Sequence, residues 1–173
     1  MTANRHLGIK WGVDPYIDRI LTTLGNRDPI VVLEATPKQL EAYLVRFSEH
    51  DFERSYAPGK WSARAILAHL ADVELGLGFR FRQALVEPGY RPDSFDQDLW
   101  ARRYARLDPS LAVETFRALR AWNLALFATF ELDDWLKEVS YPFAGIDTVD
   151  MMVRFLAGHD LNHLLQLETI AGL

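Results

Sequence analysis

TVDMMVRFLAGHDLNHLLQLETIA, residues 148–171, carries apolar side chains at helical spacing behind a capping Thr148 with Asp147 beside it, and predicts a long α-helix. Residues four apart on a helix differ by about 40° around the axis and about 6 Å along it. His159 and His163 therefore share a face, which continues through Met152, Phe155, Gln166 and Ile170. Two imidazoles interrupt an apolar stripe, and the spacing turns them toward the protein interior.

Upstream, a short polar residue precedes proline at Asp14-Pro15, Thr36-Pro37 and Asp108-Pro109, the arrangement of an N-cap followed by proline at the first helical position. Ser62, after Trp61, supplies another cap. Helices are expected over 15–24, 37–53, 62–86, 109–131 and 148–171, and strand signals are almost absent. VEPGYRPDSFDQD, 86–98, reads as a long connection of lid-like composition. LDDWLKEVSYPFAGID, 132–147, has room for one helical turn before Tyr141-Pro142 forces an extended backbone. There is no repeat and no composition shift, so the chain reads as a single all-α domain over residues 1–173: a four-helix bundle with short additional helices.

Composition narrows the function. The 173 residues are 49% hydrophobic and 25% charged, the balance of a globular protein. Nineteen Lys and Arg against 24 Asp and Glu give a net charge of −5, which repels a phosphate polymer and argues against nucleic acid as partner. No apolar run approaches the roughly 20 residues that cross a bilayer, and MTANRHLGIKWG lacks the apolar centre of a secretory signal, so a cytoplasmic protein with no membrane partner is expected. With no cysteine, thiolate ligands and nucleophiles are excluded, and any metal must sit on nitrogen and oxygen.

A third histidine, His69, lies between Ile66 and Val73 beside Leu67 and Leu70 and borders the apolar face of its helix. Any one of these rings alone reads as a core histidine bonded to a neighbouring polar group. Three together read differently. Desolvation keeps them neutral, and one divalent cation gives three lone pairs a common partner while leaving a position for water or substrate. Rival motifs fail on the letters. His159-Asp160-Leu161-Asn162-His163 has Asp where a zincin needs its general-base Glu; no Asp follows position 160 to complete an HD-type phosphohydrolase; and neither His159 nor His163 has the Glu three residues earlier that di-iron bundles use.

The run Tyr56-Ala57-Pro58-Gly59-Lys60-Trp61-Ser62, ILAHLADVE at 66–74 and GHDLNHLLQLETI at 158–170 resemble the DinB-like, or YfiT-like, family of metalloenzymes, which is distinct from the DNA polymerase sharing the DinB name. The resemblance covers most of the chain. It implies a four-helix bundle with an H-x-x-x-H final helix and a third histidine after a Trp-Ser motif, with His69, His159 and His163 as metal ligands. It also implies a small-molecule substrate, with hydrolases and with transferases or isomerases using low-molecular-weight thiols among the relatives, and a homodimer. Imidazole ligands favour Zn, Ni, Fe or Cu over Mg and Ca, with zinc the first expectation and nickel the second. The reading is a metal-dependent hydrolase or thiol-dependent transferase; the alternative is a non-catalytic metal-binding or interaction module.

Around the histidines, Asp72 lies about 60° from His69 and Glu74 about 140°. Asp72 is placed to accept a hydrogen bond from a ligand ring or bound water, and Gln166 to bond a ring of the His159–His163 stripe. The competing readings are a surface charge or inter-helix salt bridge for Asp72 and Glu74 and an ordinary amide contact for Gln166. Trp11, Trp61, Trp100, Trp122 and Trp135 are expected to pack, Gly76 and Gly78 to permit close helix approach, and Arg80, Arg82, Arg91, Arg102 and Arg103 to be solvated or paired. His6 and His50 fall outside the constellation.

Overall fold

The computed structural model describes residues 14–93, 96–140 and 146–172. His6, Trp11 and the Tyr141-Pro142 step lie outside them. The described helices are α1 Pro15–Leu24, α2 Pro29–Arg46, α3 Glu49–Glu53, α4 Ala63–Val86, α5 Gln97–Ala101, α6 Pro109–Phe127, α7 Leu132–Trp135 and α8 Val149–Ala171, with a 3₁₀ turn at Tyr104–Arg106. Among the described residues there is no strand, only isolated bridges such as Tyr90 with Val139. The four long helices close a ring in which α4 packs on α6, α6 on α2, α2 on α8 and α8 back on α4, while α1 lies along α8.

The expected caps act at four of five starts. Asp14 accepts from the Tyr16 amide, Ser62 from Ala65, Asp108 from Leu111 and Thr148 from Met151. Thr36-Pro37 does not start a helix, contrary to the expected 37–53 element. The cap belongs to Asp28, eight positions earlier, whose carboxylate accepts from the Ile30 and Val31 amides with Pro29 at the first position. Pro37 sits inside α2, and the expected element is divided at Phe47, where Ser48 caps the separate α3. The helix expected over 109–131 ends at Phe127, and α7 is the single turn anticipated in the following link.

Proline inside a helix withholds the amide that would bond the carbonyl four residues back and crowds that carbonyl aside. Here the carbonyl is Leu33's. It is answered from another helix: Arg120 Nη1 of α6 donates to the Leu33 oxygen at 2.9 Å. Arg120 is fully buried, and its two other partners, Glu74 of α4 and Asp160 of α8, are equally buried, each with a carboxylate oxygen 2.7 Å from the guanidinium. One side chain thus ties all four long helices. Asn123, one turn along α6, donates to Glu74 Oε2 at 3.0 Å and accepts from Arg82 Nη1 at 2.9 Å.

The apolar interior falls into two main clusters. Ile17, Leu33, Phe81, Phe127, Val153 and Leu156 are among the side chains filling one end, and Leu40, Phe52, Leu67, Phe116 and Leu167 among those filling the other. At about 25 cal/mol per Å² of apolar surface hidden from water, this burial is the main force holding the ring closed. No described helix is long and apolar enough to cross a membrane.

Candidate metal centre

Two glycines set helix distances near the centre. A Cβ on Gly158 would stand 2.3 Å from the Ile20 carbonyl oxygen, so only glycine lets α1 press directly against α8 beside His159. Gly78 does the same for α4, where a Cβ would meet the Asn123 amide at 2.8 Å, as the close-approach reading anticipates. Gly76 is half-buried.

His159 and His163 leave α8 one turn apart and His69 leaves α4, and all three rings are buried, at 2%, 5% and 2% exposure. Their Nε2 atoms converge: His69 to His159 is 3.0 Å and His163 to His159 is 3.1 Å. The ligand atoms of the three rings all lie within 4.8 Å of one another. His50 is exposed on α3 and is not part of this group.

Burial depresses the basicity of each ring. His69 and His159 are held well below the ordinary histidine value, first by desolvation and then by neighbouring rings, with the Arg120 charge adding to the effect at His159. Desolvation brings His163 down to about 4, against the opposing effect of its hydrogen bond to Gln166 and with help from Arg19. All three are neutral at pH 7. His163 Nδ1 is 2.8 Å from Gln166 Oε1, which can only accept, so Nδ1 carries the proton and Nε2 presents its lone pair. Of the two candidate partners named beside the histidines, Gln166 is therefore in contact with a ring.

This convergence fits a metal ion. His159 Nε2 has two nitrogen neighbours near 3 Å, and one ring proton cannot point well at both. His69 Nδ1 and His159 Nδ1 have no hydrogen-bond partner among the described residues, so ring protons stationed there leave Nε2 free on both rings. Tetrahedral coordination at 2.0–2.1 Å puts ligand nitrogens about 3.3 Å apart, a few tenths of an ångström wider than the contacts seen.

Asp72 is half-buried and its Oδ2 accepts from the Tyr104 hydroxyl at 2.8 Å, with no hydrogen bond to a histidine ring. Burial, and then Asp72 itself, raise the Tyr104 pKa. Glu74 forms the inter-helix salt bridge that was one of its two readings. Burial raises the Asp160 pKa against the pull of Arg120. At Arg120 burial acts against the charge, and Asp160 with Glu74 outweighs it.

Trp61 does more than fill space. Its ring centroid is 4.7 Å from that of His69 and 6.4 Å from that of His163, nearly parallel to the latter at 7°, and Tyr104 meets it edge-on at 6.2 Å. Arg82 lies over Trp122 and bonds Gly78 and Asn123, Arg80 donates to the Asp93 carbonyl, and Arg91, Arg102 and Arg103 are exposed, so these side chains form no cluster at the histidines. Sequence reading missed Arg120 and Asn123. Their signal is the inward stripe Ala112, Phe116, Arg120, Asn123 and Phe127, where a charge at a core position demands a buried partner.

Comparison with known proteins agrees with the geometry. A protein of Oceanobacillus iheyensis, provisionally designated a metal-dependent hydrolase, is 22% identical over 80% of this chain and 81% of its own. A second from the same organism, with the same designation, is 28% identical over 76% and 80%. YfiT from Bacillus subtilis, described as a probable metal-dependent hydrolase with an unusual four-helix bundle topology, superposes with a TM-score of 0.79 at 22% identity over 83% of this chain and 84% of that one. A mycothiol-dependent maleylpyruvate isomerase superposes at 0.66 and 15% identity, over 80% of this chain and 59% of its own. The DinB superfamily profile matches residues 32–167, a span that includes all three converging histidines, and the chain belongs to that superfamily.

Proposed function

We propose that the protein is a metal-dependent enzyme in which His69, His159 and His163 hold one divalent ion, zinc first and nickel second, and act on a small molecule by hydrolysis or by transfer involving a low-molecular-weight thiol. The observation that carries this reading is the convergence of three buried, neutral Nε2 atoms. When bound, the ion supplies Lewis acidity, which makes water or a thiol ionisable near neutral pH.

The chain's own groups perform the remaining tasks. Gln166 fixes the His163 ring by accepting its Nδ1 proton. Trp61 packs against the His69 and His163 rings and so restricts their orientation. The Tyr104 hydroxyl, whose ring lies 6.4 Å from that of His69, holds the Asp72 carboxylate through Oδ2. The thiol arm draws on the likeness in fold to a mycothiol-dependent enzyme, and the hydrolytic arm on the relatives' designations. A cytoplasmic homodimer completes the reading, supported by the exposed apolar side chains Leu75, Phe79 and Trp122 on α4 and α6.

Elemental analysis of untagged protein after divalent-ion loading and desalting tests the proposal. About one ion per chain is expected in the wild type and little in His69→Ala and His163→Ala; equally low content in all three would remove the metal site. Hydrolytic and thiol-dependent substrate screens then follow. A fourth protein ligand closing the coordination sphere would instead favour the non-catalytic binding module.

A further inference from the structure

We propose that Arg19 binds an anionic group of the substrate beside the three-histidine centre, so that the substrate class is a small-molecule anion; this rests on the metal-enzyme reading above. The argument begins at Gly158, where the Ile20 carbonyl presses against α8 and fixes the register of α1 beside His159. Arg19 precedes Ile20, and its guanidinium Nη1 stands 3.5 Å from Oδ1 of Asn162, the residue before His163. The guanidinium also lies 5.3 Å over the Tyr16 ring, Tyr16 meets Phe155 at 6.1 Å, and Phe155 meets His159 at 5.9 Å. Arg19, Tyr16, Phe155 and Asn162 thus link α1 to the turn of α8 that carries His159 and His163.

Charge separates Arg19 from the other arginine near the rings. Arg120 is committed to two buried carboxylates, whereas Arg19 is exposed and makes no ion pair among the described residues. Neutral imidazole ligands do not offset the charge of a divalent ion, so a loaded centre would add its positive charge to that of Arg19 at the same turn of α8. Asn162 and the Tyr16 face hold the guanidinium without neutralising it, leaving donors for a carboxylate or another oxyanion.

The test measures binding of an isosteric probe pair by titration calorimetry. 3-Mercaptopropionate and 3-mercaptopropionamide share a thiol and differ in charge at the far end. Zinc-loaded wild type is expected to bind the carboxylate about five- to tenfold more tightly in low salt, the range of one charge-assisted contact at an exposed site, and to lose much of that preference in high salt. Arg19→Gln should abolish the preference while leaving the amide's Kd within about twofold, and Arg19→Lys should keep most of it. An unchanged preference in Arg19→Gln, or equal weakening of both probes, overturns the assignment while leaving the metal reading intact. Failure of wild type to retain zinc defeats the metal reading, and this inference falls with it.

Discussion

Replacing Arg120 with methionine perturbs the contact on which all four long helices meet. The guanidinium is completely buried and lies 2.7 Å from both Glu74 and Asp160, themselves at zero exposure, and it also serves the Leu33 carbonyl. Methionine fills comparable space but strands two carboxylates and a carbonyl away from water. Breaking a buried pair by removing one partner costs about 3–5 kcal/mol, a large share of the roughly 5–15 kcal/mol that holds an ordinary domain together. At about 2–4 °C per kcal/mol for a chain of this size, Tm should fall by roughly 6–20 °C. Urea titrations followed by circular dichroism at pH 5 and pH 8 read the effect. The sign with pH is fixed: an unpaired buried carboxyl has a raised folded-state pKa, so the deficit is largest at pH 8 and shrinks as acid neutralises the group. Combining Arg120→Met with Glu74→Gln and Asp160→Asn should recover at least half of the loss. A deficit below about 1 kcal/mol at pH 8, or one independent of pH, would refute the reasoning.

Other consequences follow from the same geometry. In the metal-free protein, His163 has a folded pKa of about 4 against an ordinary 6.5, so between those values the unfolded chain takes up a proton that the folded ring refuses. Stability should therefore fall as pH drops through that window, by about 3 kcal/mol from His163 alone, and His163→Asn should flatten the profile in chemical denaturation. Gly158→Ala forces a methyl against the Ile20 carbonyl and should cost about 1–3 kcal/mol by thermal melt, whereas an unchanged Tm would mean that α1 is not pressed against α8. Trp61 lies over two of the three rings, so loading with nickel or copper should quench its fluorescence, and Trp61→Phe should lose that part of the quenching. Quenching identical in the two proteins would place the ion elsewhere.

Much of this molecule is written in local sequence. The Asp-Pro, Ser and Thr caps act within two or three residues, and the H-x-x-x-H spacing needs only helical geometry to put two rings on one face. Thr36-Pro37 misled because the pattern that opens a helix can also lie within one when a distant side chain serves the freed carbonyl. That donor, Arg120, is 87 positions from Leu33 and belongs to tertiary structure. The same distance conceals the Glu74–Arg120–Asp160 network, although an arginine on the inward stripe of α6 signals that some such partner exists. His69 could be placed on an apolar border from its neighbours, but its 3.0 Å approach to His159 depends on how α4 crosses α8. Asp72 illustrates the limit of angular reasoning: it lies on the histidine side of its helix, yet its Oδ2 bonds Tyr104 of the 3₁₀ turn, a partner that helix angles alone do not reveal.

X-ray absorption at the zinc edge of untagged, zinc-loaded protein measures the proposed centre most directly. Three imidazole nitrogens at about 2.0–2.1 Å with one exchangeable oxygen are predicted, and His159→Ala should remove imidazole scattering from the shell. An all-oxygen shell, or a spectrum unaffected by loss of His159, would contradict the assignment of these histidines as the metal ligands.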